Sequence, residues 1–260
     1  MRSRTALLTV VAVALLVIGA GALTWVLFLK GDDVAPLTLP TSPPAADASQ
    51  PAGDLPSAGS IDTGAGASLA PASGAAIDAA SIPGTWSIAP NSVVGYRVRE
   101  RLASLSADSD AVGRTNGITG TATIAGSGGA LTVSDASFTV DMTSLQSDRP
   151  MRDNRLRNDG IQTDQFPTST FKLTQPVSIP AGATAGNAVD VTLHGDLTLH
   201  GVTKTVDIPA KAQLNGDLIQ VAGSLSFPFS DYQINPPNIA GFVAVQDTGT
   251  LEFLINLAKS

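Results

Sequence analysis

The stretch from Val189 to Leu214 restricts the fold more than any other part of the chain. Val189, Val191, Leu193, Leu197 and Leu199 share one parity, and Asp190, Thr192, His194, Asp196 and Thr198 share the other. Alternation at period two marks a strand with one face buried and one face in water. After His200-Gly201 the pattern restarts with Val202, Val206, Ile208, Ala210, Ala212 and Leu214. The two runs are expected to pair as a hairpin.

The same period recurs elsewhere. A turn at Asn215-Gly216-Asp217 leads to Ile219, Val221, Leu225 and Phe227, and the last run carries Leu251, Phe253, Ile255 and Leu257. Upstream, Val94, Tyr96 and Val98 predict a strand, as do Ile118 to Ile124 and Phe171 to Val177. Between Leu131 and Val140 the apolar parity switches from odd to even, which predicts a bulge near Ser134 to Ala136. Gly126-Ser127-Gly128-Gly129 reads as a hairpin turn. Seven or eight antiparallel strands joined by Gly/Asn/Asp turns fit a sandwich or a barrel. Asp148 to Asp159 lacks strand character and predicts a short helix, with Asp148–Arg152, Asp153–Arg157 and Arg155–Asp159 spaced as ion pairs.

The N-terminus is of another kind. Thr5 to Leu29 holds no ionisable residue, and as a helix it would rise roughly 37 Å, enough to cross a hydrocarbon core of about 30 Å. Arg2 and Arg4 precede it, and Asp32 and Asp33 closely follow Lys30, so the positive-inside rule predicts a single-pass anchor with everything from Gly31 onward extracytoplasmic. A cleaved signal peptide would have a shorter apolar region and a small-residue cleavage site. Residues 31–82 contain seven prolines and six acidic residues, with no Lys, Arg or aromatic residue, a composition expected to stay a disordered linker. Three segments follow: an anchor (1–30), a linker (31–82) and a folded domain (83–260).

The folded domain is long enough for one sizeable core. Its 12 basic residues against 16 acidic ones argue against nucleic acid as a partner. The chain has no cysteine, which excludes thiol catalysis and thiolate metal sites.

Several motifs resemble the YceI-like family of lipocalin-like barrels that bind polyisoprenoid chains. Trp86-Ser87-Ile88 and Asn91-Ser92-Val93-Val94-Gly95-Tyr96-Arg97-Val98 are similar to that family's opening strands. Ser144-Leu145 with Arg152-Asp153-Asn154-Arg155-Leu156 resembles its R-D-x-H-L helix, Arg155 standing where the family has His. Phe166-Pro167 and Thr170-Phe171-Lys172 are similar to a further segment. Gly195-Asp196-Leu197-Thr198-Leu199-His200-Gly201-Val202-Thr203-Lys204 is nearly the family's G-x-L-T-I-x-G-V-T-K hairpin, and Ser230-Asp231-Tyr232-Gln233-Ile234 resembles R-x-D-F-G-I. Pro228-Phe229 replaces a basic lead-in there, and Asn91 replaces a His. The resemblance implies an all-β, antiparallel lipocalin-like barrel with one short helix, and a non-enzymatic role holding an isoprenoid or similar long-chain lipid.

On that implication, the apolar parity supplies a candidate tunnel: Tyr96, Val98, Phe138, Val140, Phe171, Leu173, Leu193, Leu197, Leu199, Phe227 and Phe253. Alternation does not distinguish a hollow interior from a packed one, so a filled barrel serving as an envelope interaction domain is the rival. Arg149, Arg152 and Arg155 are candidates for an anionic headgroup, because guanidinium forks match phosphate oxygens. A solvated, ion-paired helix is the alternative.

A catalytic reading and a metal-site reading are weaker. Ser169-Thr170-Phe171-Lys172 matches the S-x-x-K of penicillin-binding enzymes, but the strand parity around Phe171 sends Ser169 and Lys172 to opposite faces. His194 and His200 lie six residues apart on the same strand parity, about 20 Å in a strand, too far to share an ion; His194 and Asp196 are about 7 Å apart on that face, and both histidines read as polar outward residues. No cofactor or metal is expected.

Overall fold

In a computed structural model, the described residues are 34–40 and 81–260, apart from 103–107, 128–129, 181–185 and 237–242. The expected anchor and the segment 41–80 lie outside them. No described helix is long and apolar enough to cross a membrane.

The elements are β1 (Gly84–Ile88), β2 (Val93–Leu102), β3 (Ser109–Thr115), β4 (Ile118–Ser127), β5 (Ala130–Asp141), β6 (Gln146–Ser147), α1 (Pro150–Asn158), β7 (Thr168–Leu173), β8 (Val177–Ile179), β9 (Val189–Leu199), β10 (Val202–Asn215), β11 (Leu218–Pro228) and β12 (Val243–Lys259). Eight of them form a closed antiparallel ring in the order β1-β4-β5-β7-β9-β10-β11-β12, with β12 returning to β1. Closure depends on the length of β12. Its last residues, Leu257 to Lys259, pair with β1, while Val243 to Leu254 pair with β2. The strands β2, β3 and β6 thus continue the wall at the opposite end, beside α1.

The expected hairpin forms with Val202 opposite Leu199 and Ala212 opposite Val189. His200 and Gly201 both have positive φ, at 52° and 73°, as a two-residue type I′ turn requires. The parity switch in β5 is a bulge: Thr123 pairs with Asp135 and Ile124 with Val133, leaving Ser134 unmatched. Ser127 pairs with Ala130, so β4 and β5 form the hairpin expected there.

Some expectations need correction. Phe171 to Val177 is two strands rather than one: β7 ends at Leu173 and β8 begins at Val177. Between them Thr174 turns its N–H to the His194 carbonyl, and Pro176 has no N–H to give to a ladder. In α1 the pairs Asp148–Arg152 and Arg155–Asp159 form, but Asp153–Arg157 does not. Asp153 instead accepts from the Ser147 N–H and hydroxyl, and Arg157 donates to Asn154. His200 is not an outward polar residue of a strand. Its ring bridges the Tyr232 carbonyl and the Gln162 side chain at 3.0 and 2.9 Å, and lies against Phe166.

Ile82 is buried in the core, its carbonyl accepting from the Trp86 indole N–H at 3.0 Å. Residues 34–40, within the segment expected to be a linker, lie on the outside of the barrel. The Val34 and Ala35 carbonyls accept from Arg97 and Arg114, and the Pro40 carbonyl accepts from Gln213. Composition missed this because the anchoring groups are carbonyls, which every residue has.

Candidate functional site

The barrel encloses a cavity of about 660 Å³, within the range of pockets that hold small molecules. It extends from Ile82, Leu131 and Leu214 near the β1 end to Glu100, Arg152 and Leu156 beside the helix. Tyr96, Val98, Phe138, Val140, Phe171, Leu193, Leu197, Leu199, Phe227 and Phe253 all lie on its wall. Leu173 does not. It faces inward and is buried, but it packs into the surrounding core cluster.

The lumen stays open because the inward aromatic rings lie along the wall. Phe138 is paired with Gly120, Phe253 with Gly223 and Tyr96 with Gly113. Phe171 covers Gly195 on the adjacent strand. A Cβ on Gly113 would sit 2.3 Å from the Tyr96 ring, and one on Gly195 would sit 2.4 Å from Phe171. A glycine beside each ring therefore provides a recess, and the large side chains cover backbone instead of meeting at the axis. Gly120 has φ of 147°, so its position also favours glycine on backbone grounds.

One end of the cavity is polar. Glu100 follows the inward parity of Tyr96 and Val98 and is 7% exposed. Arg152, from α1, donates to Glu100 at 2.7 Å and also to Asp148. Burial works against the charge on Arg152, but Glu100 and Asp148 outweigh it and raise its pKa. The Tyr96 hydroxyl is buried there with no hydrogen-bond partner among the described residues. Burial pushes the phenol well above its ordinary range, further than Arg152 pulls it back. Glu100 was legible as an acid in an apolar parity; its partner was not, since the two are 52 residues apart.

The three arginines proposed for a headgroup are not brought together at the cavity. Arg152 reaches the wall. Arg149 is partly exposed beside Asp148, and Arg155 is exposed beside Asp159. The S-x-x-K spacing lies on β7, where Ser169 is buried and donates to the Thr198 carbonyl while Lys172 is exposed. His194 pairs with Asp207 across the hairpin and Asp196 accepts from Thr205, so these groups face outward on separate partners. Among the described residues no cluster of His, Asp or Glu is arranged to hold a metal.

Fold and cavity together define a closed antiparallel barrel with an apolar interior and a polar cluster at one end. The sequence matches the YceI-like domain family over residues 86–257, and the chain belongs to that family. It is 42% identical over 79 residues to a UPF0312 protein of Vibrio parahaemolyticus and 38% identical over 80 residues to the protein YceI of Shigella flexneri, each match covering 30% of this chain. These matches span 38% of the length of each relative. The fold is similar to that of a polyisoprenoid-binding domain from Saccharophagus degradans implicated in plant cell wall breakdown. The TM-score is 0.53 at 19% identity, over 68% of this chain and 99% of that one.

Proposed function

We propose that this protein is a membrane-tethered, extracytoplasmic carrier or store for a polyisoprenoid or similar long-chain amphiphile, held inside the barrel without being chemically altered. The observation that carries the reading is the cavity, lined mostly by apolar side chains, with the charged pair Glu100 and Arg152 gathered beside Tyr96 at one end. Each five-carbon unit taken from water contributes roughly 4 kcal/mol gross, at about 0.8 per carbon, so a few units outweigh the costs of association. The open lumen argues against the filled-barrel alternative. Tethering follows from the length and flanks of Thr5 to Leu29.

The polar end favours an uncharged head over a phosphate. Arg152 is already neutralised by Glu100 and Asp148, and a further anion would have to displace a carboxylate or sit beside it. The Tyr96 hydroxyl, unpaired among the described residues, offers a donor to a neutral oxygen. Calorimetric titration of the delipidated chain with a long-chain isoprenoid alcohol and its pyrophosphate tests this reading. The alcohol is expected to bind at least as tightly as the pyrophosphate. Tenfold tighter binding of the pyrophosphate would overturn the choice of head, and no binding of either would overturn the lipid reading.

A further inference from the structure

The segment at residues 34–40 crosses the outer face of the barrel. Its start is fixed on β2 and β3, where Arg97 donates to the Val34 carbonyl at 2.8 Å and Arg114 to that of Ala35. Its end reaches β10, where Gln213 donates to the Pro40 carbonyl at 3.4 Å. The strands between are β12 and β11. Three strand spacings are about 14 Å, and six residues reach about 20 Å when extended, so the strap is long enough to cross with a modest step along the axis. Val34, Leu37 and Leu39 are half-buried in it.

The face beneath is suited to being covered. Glu252 points outward from β12, yet it is only 2% exposed and is paired with Arg114 at 2.9 Å and Arg97 at 3.5 Å. Gln220 and Asn256, also outward, are buried and hydrogen-bonded to each other at 2.8 Å. The two arginines that hold the strap are therefore fixed by a buried carboxylate.

Only residues 31–33 separate Lys30 from Val34. We propose that the strap is a clamp that holds the side of the barrel at the surface of a lipid bilayer. Four residue steps span at most about 14 Å, so the docked strap keeps β2, β3 and β12 that close to the end of the membrane segment. Without docking, the chain from Lys30 to Ile82 has a root-mean-square span of roughly 40 Å. The height of the barrel is then set by the connection from Lys30 to Val34 and not by the sequence between the strap and β1. This rests on the membrane-anchored reading above.

The test uses the full chain in liposomes. The chain has no cysteine, so S224C, on the exposed face of β11 opposite Glu252, accepts one donor dye, with an acceptor on the lipid headgroups. Energy transfer is expected to be high, and to fall severalfold in two variants. One is L37D/L39D, which undocks the strap. The other is an insertion of about thirty Gly and Ser residues between positions 33 and 34, roughly 30 Å in span, which leaves strap and barrel unchanged. Equal transfer in all three, with all three floating with the liposomes, would overturn the clamp. Uniformly low transfer in floating protein would overturn it as well. Failure of the parent chain to float would overturn the anchored reading, and the clamp with it.

Discussion

Gly113→Ala distinguishes a hollow barrel from a filled one. The new Cβ would lie 2.3 Å from Cε1, 2.7 Å from Cζ and 2.9 Å from the hydroxyl oxygen of Tyr96. Carbon atoms rest at about 3.5–4.0 Å, so the ring has to retreat by roughly an ångström. All three nearest atoms belong to the far end of one side chain, and Tyr96 lies on the cavity wall, so the ring has the lumen to move into. An off-rotamer displacement of that kind costs about 0.5–1.5 kcal/mol. Against it, an alanine restricts the unfolded chain and returns about 0.4–1 kcal/mol. With open space inside, the net change in stability is expected to lie within about 1 kcal/mol, read from urea unfolding followed by Trp86 fluorescence. In a filled barrel the ring would overpack its neighbours at a cost of about 1–3 kcal/mol. Lumen lost to the ring is equivalent to one or two methylenes, about 0.8 kcal/mol each, so binding of an isoprenoid alcohol should weaken roughly fourfold to fifteenfold. Gly195→Ala is the control: its Cβ would also meet the Lys172 carbonyl at 2.6 Å, and backbone cannot swing aside, so its loss should exceed 2 kcal/mol in the overpacking range. A loss of more than about 2 kcal/mol for Gly113→Ala, or unchanged binding, would show that the ring has no open lumen to enter.

Other consequences can be measured on the same protein. Both tyrosines of the chain have raised pKa values, Tyr232 to about 12 by burial first, with Asp231 adding to it. The folded state keeps protons that the unfolded chain loses above about pH 10, so stability should fall as pH rises past that point, by up to about 1.4 kcal/mol per pH unit for each tyrosine. Tyrosinate absorbance should then appear with unfolding; a rise at pH 10 in the folded protein would contradict the burial. Arg152→Gln leaves Glu100 buried without its cation and should cost about 3 kcal/mol, partly recovered in the double variant with Glu100→Gln, whereas Arg155→Gln should stay within about 0.5 kcal/mol. Urea midpoints that move equally for Arg152→Gln and Arg155→Gln would contradict the placement of the arginines. Arg114→Ala should cost about 2–3 kcal/mol through the buried Glu252, less than a complete break because Arg97 remains. A midpoint unchanged from the parent would show that the pair is not held.

Period two in the sequence located β9, β10, β11 and β12 with their inward faces, and the parity switch located the bulge at Ser134. That is natural, because one buried face imposes an apolar residue at every second position. The pattern could not reveal closure, which depends on β12 exchanging partners from β2 to β1 along its length. It could not reveal the hollow interior either. Tyr96 and Gly113, or Phe171 and Gly195, come together through register, and a glycine in a strand gives no sign of which ring lies over it. The arginines show the same limit. Helical spacing put Arg149, Arg152 and Arg155 near one another, but only the fold placed Glu100 beneath Arg152 and left the other two toward solvent.

Occupation of the barrel by a long apolar chain is tested most directly by native mass spectrometry of the protein made in its own host and released with mild detergent, followed by extraction of whatever accompanies it. The expected result is an added mass that survives gentle ionisation, leaves on unfolding, and is recovered as a long-chain lipid with an uncharged head. Protein of apo mass only, with no lipid recovered from the folded barrel, would contradict it.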